Sequence, residues 1–176
     1  MEGGKKWFKS GDEKTQAKYE GEIVDGIPAG LGTLTYPKGH KIEGEWKDGE
    51  QHGRVTFTWS DGRKYVGESK DGRQHGQGAM TYKSGSTYVG EWENGLKNGQ
   101  GTFTWAYGGK YIGEWKNGGG WNFKTVGIVI NNPLGWKAEG EYKDGKKWNW
   151  KIYNEEGSLV QETVDGKQTL NKNKKQ

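Results

Sequence analysis

Tyr19, Ile42, Tyr65, Tyr88 and Tyr111 stand 23 residues apart, and each opens the same phrase: an aromatic or aliphatic residue, one spacer, then Gly-Glu. The five read YEGEIVDG, IEGEWKDG, YVGESKDG, YVGEWENG and YIGEWKNG. Self-similarity at a period of roughly 20–50 residues marks an array of small supersecondary units, none of which can bury its apolar face alone. The chain is thereby restricted to a stack of like elements, and a stack of this kind is more often a surface than a catalyst.

One unit, Tyr88 to Lys110, shows what the element is. Tyr88, Gly90 and Trp92 alternate with Val89, Glu91 and Glu93, the period of two expected of a strand with its rings on one face. A dipeptide suited to positive φ follows at the same offset in every unit: Asp25-Gly26, Asp48-Gly49, Asp71-Gly72, Asn94-Gly95, Asn117-Gly118 and Asp144-Gly145. The second strand is read as Gly101 to Trp105, with Thr102 and Thr104 on the face away from the rings. A further turn closes each unit around Gly39, Gly62, Gly85 or Gly108, with Pro37 presetting φ in the first. Each unit is thus a β-hairpin, and successive hairpins advance about 10 Å. The expected fold is all-β: a single-layer twisted antiparallel β-meander of stacked hairpin repeats. The Gly after each leading Tyr is expected to leave room for a ring from the adjacent strand.

Composition decides whether such a ribbon has a core. Leu, Ile, Val and Phe total only 25 of 176 residues, and mean hydropathy is −1.14, figures that lean toward disorder. Against that stand 10 Trp, 9 Tyr and 33 Gly. Each large ring buries on the order of 150–250 Å², and glycine lets backbone approach closely, so the core is aromatic and thin. The net charge of +4 comes from the ends. Residues 19–165 hold 18 basic and 20 acidic residues, a net of −2, the wrong sign for a phosphate-tracking groove, so no nucleic-acid partner is expected. There is no cysteine, hence no disulfide, thiolate metal site or thiol nucleophile. The N-terminal MEGGKKWFKSGDEK has no apolar signal-peptide core, and no apolar run spans a bilayer. This leaves a cytoplasmic default for an otherwise unassigned location.

These residues resemble the MORN (membrane occupation and recognition nexus) repeat, roughly Y-x-G-E-W-x-x-G-x-x-H-G-x-G followed by a short aromatic strand. Tyr88, Gly90, Glu91, Trp92, Gly95, Gly99 and Gly101 fit it, with Asn98 in the His slot; His75, Gly76 and Gly78 fit the same motif. Three residues depart from it: Ser69 and Ile23 stand where Trp is usual, and Val55 replaces the second Gly of one HGxG. The resemblance covers about residues 19–118. The C-terminal stretch resembles the antitoxin-type MORN variant, and it reads equally as an atypical repeat capping the stack. The organisation expected is an N-terminal segment 1–18, repeats 19–118, an irregular insertion 119–137 containing an apolar strand from Val126 to Ile130, a divergent capping repeat 138–167 and a basic tail 168–176. The resemblance implies scaffolding, since MORN arrays flank catalytic domains or sit at membrane contacts, and it brings no enzyme activity of its own.

The individual residues point the same way. His52 and His75, read as turn residues, lie about 10 Å apart in the sheet, too far for one metal to bridge. The recurring Glu22, Glu45, Glu68, Glu91, Glu114 and Glu141 fall on the face opposite the rings, with Thr, Lys or Arg as expected partners. No nucleophile–base pair or phosphate loop is present, and no cofactor or metal is expected. The aromatic stripe is the candidate partner-binding site: Tyr65, Tyr88, Trp92, Phe103, Trp105, Tyr111 and Trp115. The reading is a non-catalytic repeat scaffold that holds a protein or peptide segment along an aromatic-lined groove. One alternative is peripheral membrane association, helped by Lys167, Lys172, Lys174 and Lys175. Another is a carbohydrate or choline-type module built on Trp136 and the Lys146–Trp150 stretch.

Overall fold

The structure, a computed structural model, describes residues 6–8, 17–126 and 136–170. No helix occurs among them. After β1 (Lys6–Phe8) come β2 (Lys18–Val24), β3 (Ile27–Thr35), β4 (Lys41–Lys47), β5 (Glu50–Thr58), β6 (Lys64–Lys70), β7 (Arg73–Thr81) and β8 (Thr87–Glu93). The order continues with β9 (Leu96–Thr104), β10 (Lys110–Lys116), β11 (Gly119–Val126), β12 (Lys137–Lys143), β13 (Lys146–Tyr153), β14 (Leu159–Val164) and β15 (Lys167–Leu170). Sequence neighbours are sheet neighbours throughout, so the strands form one open antiparallel meander. Their contacts divide into two compact units. One runs to Lys83 and takes in Glu91–Gly95; the other comprises Ser84–Gly90 and the chain from Leu96.

The turn chemistry is the one expected. The six Asp/Asn-Gly pairs have φ of +49 to +52° followed by +73 to +84°, the doubly positive geometry whose twist matches the flanking strands. A seventh pair, Asp165-Gly166, joins β14 to β15 in the same way, so Lys167–Leu170 continues the sheet where a tail was expected from residue 168. From Gly49 onward each turn glycine is also tied to the preceding hairpin. Gly72 and Gly95 donate to the carbonyls of Gln51 and Gln74 in the first unit, and Gly118 donates to that of Lys97 in the second. Gly119–Val126, inside the expected insertion, is a strand paired with β10, with a bulge at Trp121. The rest of the Val126–Ile130 candidate lies outside the described residues.

The second strands are longer than the pattern suggested. They begin directly after the turn, as β7 and β9 do, and Trp105 falls just past the end of β9. His52 and His75 therefore lie in strands, not turns. The pattern hid this because a bulge breaks the alternation: Gly67 faces Gly78 and Glu68 faces His75, leaving Gly76 and Gln77 extra. Gly76 has φ of +58°, and Gly53 holds the matching place in β5 at +68°, so the glycine permits a backbone that other residues resist. The recurring Glu seals this bulge. Glu68 accepts the Gln77 N–H at 3.1 Å and Glu45 that of Arg54 at 3.1 Å. For these two the partner is backbone, whereas Glu141 pairs with Lys124 at 3.2 Å, a side-chain partner of the kind the alternation implied.

The core is a row of rings over paired glycines. A Cβ on Gly67 would stand 2.5 Å from Gly78 Cα and 2.6 Å from the Tyr65 hydroxyl; one on Gly90 would stand 2.5 Å from Gly101 Cα and 2.8 Å from the Tyr88 hydroxyl. At Gly67 and Gly90 the ring filling the glycine space thus comes from the same strand's Tyr, two residues earlier, whereas at Gly113 the residue met is Phe123 of the adjacent strand. Tyr65 and Tyr88 are 0% exposed.

Candidate functional site

A second ring locks each phenol. In the first unit Trp46 meets Tyr19 edge-on at 5.2 Å and donates its indole N–H to Gly32 O at 3.1 Å; Trp92 does the same to Tyr65, at 5.3 Å, and to Gly78 O, at 3.2 Å. In the second unit Trp115 meets Tyr88 at 5.1 Å and donates to Gly101 O at 3.1 Å. Edge-to-face pairs of this kind add about 0.5–1.5 kcal/mol to the burial of their area. The Tyr65 hydroxyl donates to Glu68 O at 2.7 Å. Burial, then the nearby Glu68 carboxylate, pushes that phenol well above its ordinary range. Burial, with Glu22 second, does the same to Tyr19.

The seven rings proposed from sequence therefore divide. Tyr65, Tyr88, Trp92 and Trp115 are buried, none more than 8% exposed. Phe103, Trp105 and Tyr111 are half-buried. In the second unit these three gather with Tyr107, which is 48% exposed. Ring centroids are 4.7 Å apart for Phe103–Trp105, 5.6 Å for the stacked Trp105–Tyr107 pair and 6.0 Å for Trp105–Tyr111. Burial foremost, with Tyr142 adding, raises the Tyr111 phenol against a smaller opposing influence of the nearby Trp105 indole. That indole N–H itself is buried without an acceptor in hydrogen-bond geometry, unlike those of Trp46, Trp92 and Trp115. The sequence pattern passed over Tyr107 because it sits in a turn outside the strand alternation. The first unit has a smaller counterpart, Phe57 stacked on Trp59 at 5.6 Å with the Arg63 guanidinium 5.2 Å above the indole.

Lys97 was also missed. Its ammonium lies 4.2 Å from the Trp115 ring centroid, 5.3 Å from Phe103 and 5.4 Å from Tyr88, and burial lowers its pKa. Lys97 thus places its own cation in the space among these three rings.

Beyond Gly118 the glycine corridor changes hands. Gly113 faces Phe123 and Gly140 faces Trp150, so an aromatic residue replaces the second glycine. Rings then run without a break: Tyr111–Phe123 at 4.7 Å, Phe123–Tyr142 at 4.4 Å and Tyr142–Trp150 at 5.1 Å. Trp121-Asn122-Phe123-Lys124 and Trp148-Asn149-Trp150-Lys151 are equivalent, 27 residues apart. In each, Asn binds both the motif Glu and the next turn: Asn122 donates to Glu114 at 2.7 Å and accepts from Asp144 N at 2.9 Å. Trp148 has Lys143 over its ring at 4.5 Å and packs against Gly166, while Trp150 is buried. Trp148 itself is half-buried.

His40 Nδ1 accepts the Ser60 N–H at 3.3 Å and ties two loops together. Among the described residues no group of three His, Asp or Glu is placed to hold a metal, and no helix is long and apolar enough to cross a membrane.

Paired glycines under a phenol, an indole locking that phenol, and an Asp/Asn-Gly turn define a class: an all-β protein of repeated hairpins. The MORN repeat family matches residues 19–41, 43–62, 65–87, 88–110 and 111–118, more than half of the chain, and the chain belongs to that family. The match ends at Gly118, ahead of the stretch with the antitoxin-type resemblance. No curated protein sequence matches the chain. Among solved structures, it is similar to the wild-type TCP10 domain of Danio rerio CPAP in complex with a peptide of Danio rerio STIL. Identity is 14%, coverage is 86% of this chain and 70% of that one, and the TM-score is 0.38.

Proposed function

We propose that the chain is a non-catalytic scaffold whose half-buried rings receive an apolar segment of a partner protein. The observation that carries this is the Phe103–Trp105–Tyr107–Tyr111 cluster of the second unit, where large rings are packed yet partly open. Exposed aromatic area of this kind is the usual core of a protein interface. Tyr88 and Trp115 beneath it, like Tyr65 and Trp92 in the first unit, serve as the rigid floor. The Lys and Glu side chains around it supply orientation more than affinity.

A photo-crosslinking residue in place of Tyr107, followed by mass spectrometry, tests the reading. A discrete cross-linked protein whose yield drops at least fivefold in Trp105→Ala is expected. Cross-links unchanged by Trp105→Ala and by Phe103→Ala, with both variants folded by circular dichroism, would remove the cluster from the interaction.

A further inference from the structure

The face opposite the rings carries, in the first unit, a feature that the aromatic reading does not use. Lys18, Lys41 and Lys64 each precede the leading residue of a repeat and so point away from the rings. Their cross-strand partners alternate without a gap: Lys18 faces Thr35, Thr35 faces Lys41, Lys41 faces Thr58, Thr58 faces Lys64, and Lys64 faces Thr81. The result is one row of ammonium groups separated by hydroxyls, running across the strands at one end of the hairpins. Lys38 and Lys83, both exposed, lie in the loops at that same end. A second row runs one step further in, where Glu20 pairs with Lys18 at 3.7 Å and Glu43 with Lys41 at 2.7 Å. At the third position Val66, 48% exposed, takes the place of the Glu. Among the described residues Lys64 has no ion-pair partner.

We propose that this row is a track for an acidic peptide segment in the polyproline II conformation with a carboxylate at every third residue. The spacing carries the commitment. Successive lysines are two strands apart, about 10 Å, and three residues of a polyproline II chain span about 9 Å and return each third side chain to the same face. One carboxylate therefore meets each ammonium, while the threonine hydroxyls donate between them. The flanking Glu20 and Glu43 select a narrow ligand. A bilayer plane or a continuous phosphate backbone lays negative charge over both rows at once, whereas a single peptide chain touches only the outer one. This track belongs to the first unit, on the face away from that unit's own rings, and is tested apart from the ring cluster.

The test uses the full chain and two fluorescent nine-residue peptides of equal composition, (Asp-Thr-Ser)₃ and one with its three Asp contiguous. The spaced peptide is expected to bind at least tenfold more tightly than the contiguous one and to weaken as NaCl is raised. Lys41→Gln with Lys64→Gln is expected to weaken it tenfold or more. Lys47→Gln with Lys70→Gln removes the same charge from the opposite ends of the same strands, and there less than a twofold change is expected. No binding, equal binding of the two peptides, or equal loss in both double variants overturns the proposal. So does tighter, Lys41- and Lys64-dependent binding to phosphatidylserine vesicles or to oligo-dT.

Discussion

Gly67 and Gly78 decide where Tyr65 can lie, and the carbonyl of Glu68 decides where its hydroxyl ends. A methyl group on Gly67 has backbone 2.5 Å away and no flexible neighbour to displace. Gly67→Ala should therefore cost at least the roughly 1–3 kcal/mol usual for overpacking. Glu68→Ala frees one bulge N–H that water can reach, and about 0.5–1.5 kcal/mol is expected. Urea unfolding of the two variants gives the order, and an equal or reversed order removes the corridor as the core device. The buried phenol also sets a pH limit. The folded-state pKa of Tyr65 lies above the ordinary 10.0, so its contribution is complete below about pH 10. Above that the unfolded chain ionises first, and stability falls as pH rises toward the folded value. Thermal unfolding between pH 8 and 11 should show this fall, and Tyr65→Phe should make it shallower, the raised Tyr19 and Tyr111 phenols supplying the rest, while losing about 1 kcal/mol at neutral pH with the hydroxyl's hydrogen bond. The glycine spacing was legible in the sequence, but its occupant was not. Alternation says which face a ring takes, not that a side chain leans along its own strand.

At the scale of the hairpin, the departures from the repeat prove to be linked. Ile42 stands in the place of the leading Tyr, Val55 in that of the second corridor glycine, and Ser69 in that of the locking Trp. Val55 faces Gly44; Ile42, Val55 and Ser69 are 4%, 3% and 3% exposed, and Phe57 lies beside Ile42. Without a phenol the corridor is filled by the Val55 side chain, and without a phenol there is nothing for an indole to lock. Ser69 instead donates to the carbonyl oxygens of Gln51 and Arg73 at 3.3 and 3.0 Å. Read singly, these look like erosion of a motif; the coordinates make them one compensated exchange. Ile42→Tyr alone should then be strongly destabilising, by about 2–3 kcal/mol, because Val55 occupies the space its ring needs. The triple variant Ile42→Tyr, Val55→Gly, Ser69→Trp should recover most of that loss. A mutant cycle by urea unfolding measures the coupling, and additive effects of the three changes would separate the sites. The longer reach of the second strands was hidden for a related reason. A two-residue bulge shifts the alternation inside the strand, so the pattern before Gly76 reads as a turn.

Over the whole molecule, the 23-residue period was enough to give strand order, turn type and the ring-bearing face, because each repeats until chance is excluded. What it left out lies where the period stops. The Trp121 and Trp148 stretches repeat at 27 residues, with an aromatic residue in the corridor, and a search tuned to Tyr-x-Gly-Glu passes over them. Asp165-Gly166 carried the same turn signal as the other six and was masked by the lysines that follow it. In the ring stripe, the exposure that separates Phe103 from Tyr88 depends on the packing of neighbouring hairpins, which alternation does not encode. An architecture joined only by nearest neighbours should also fail locally. Trp46→Ala removes the edge contact to Tyr19 and the bond to Gly32 O, a change of about 3–5 kcal/mol for a buried indole. Amide hydrogen exchange should accelerate in β2 to β5 by tenfold or more while β12 to β14 keep their protection. Uniform acceleration along the chain would mean that the hairpins unfold as one cooperative body and that stability is not distributed repeat by repeat.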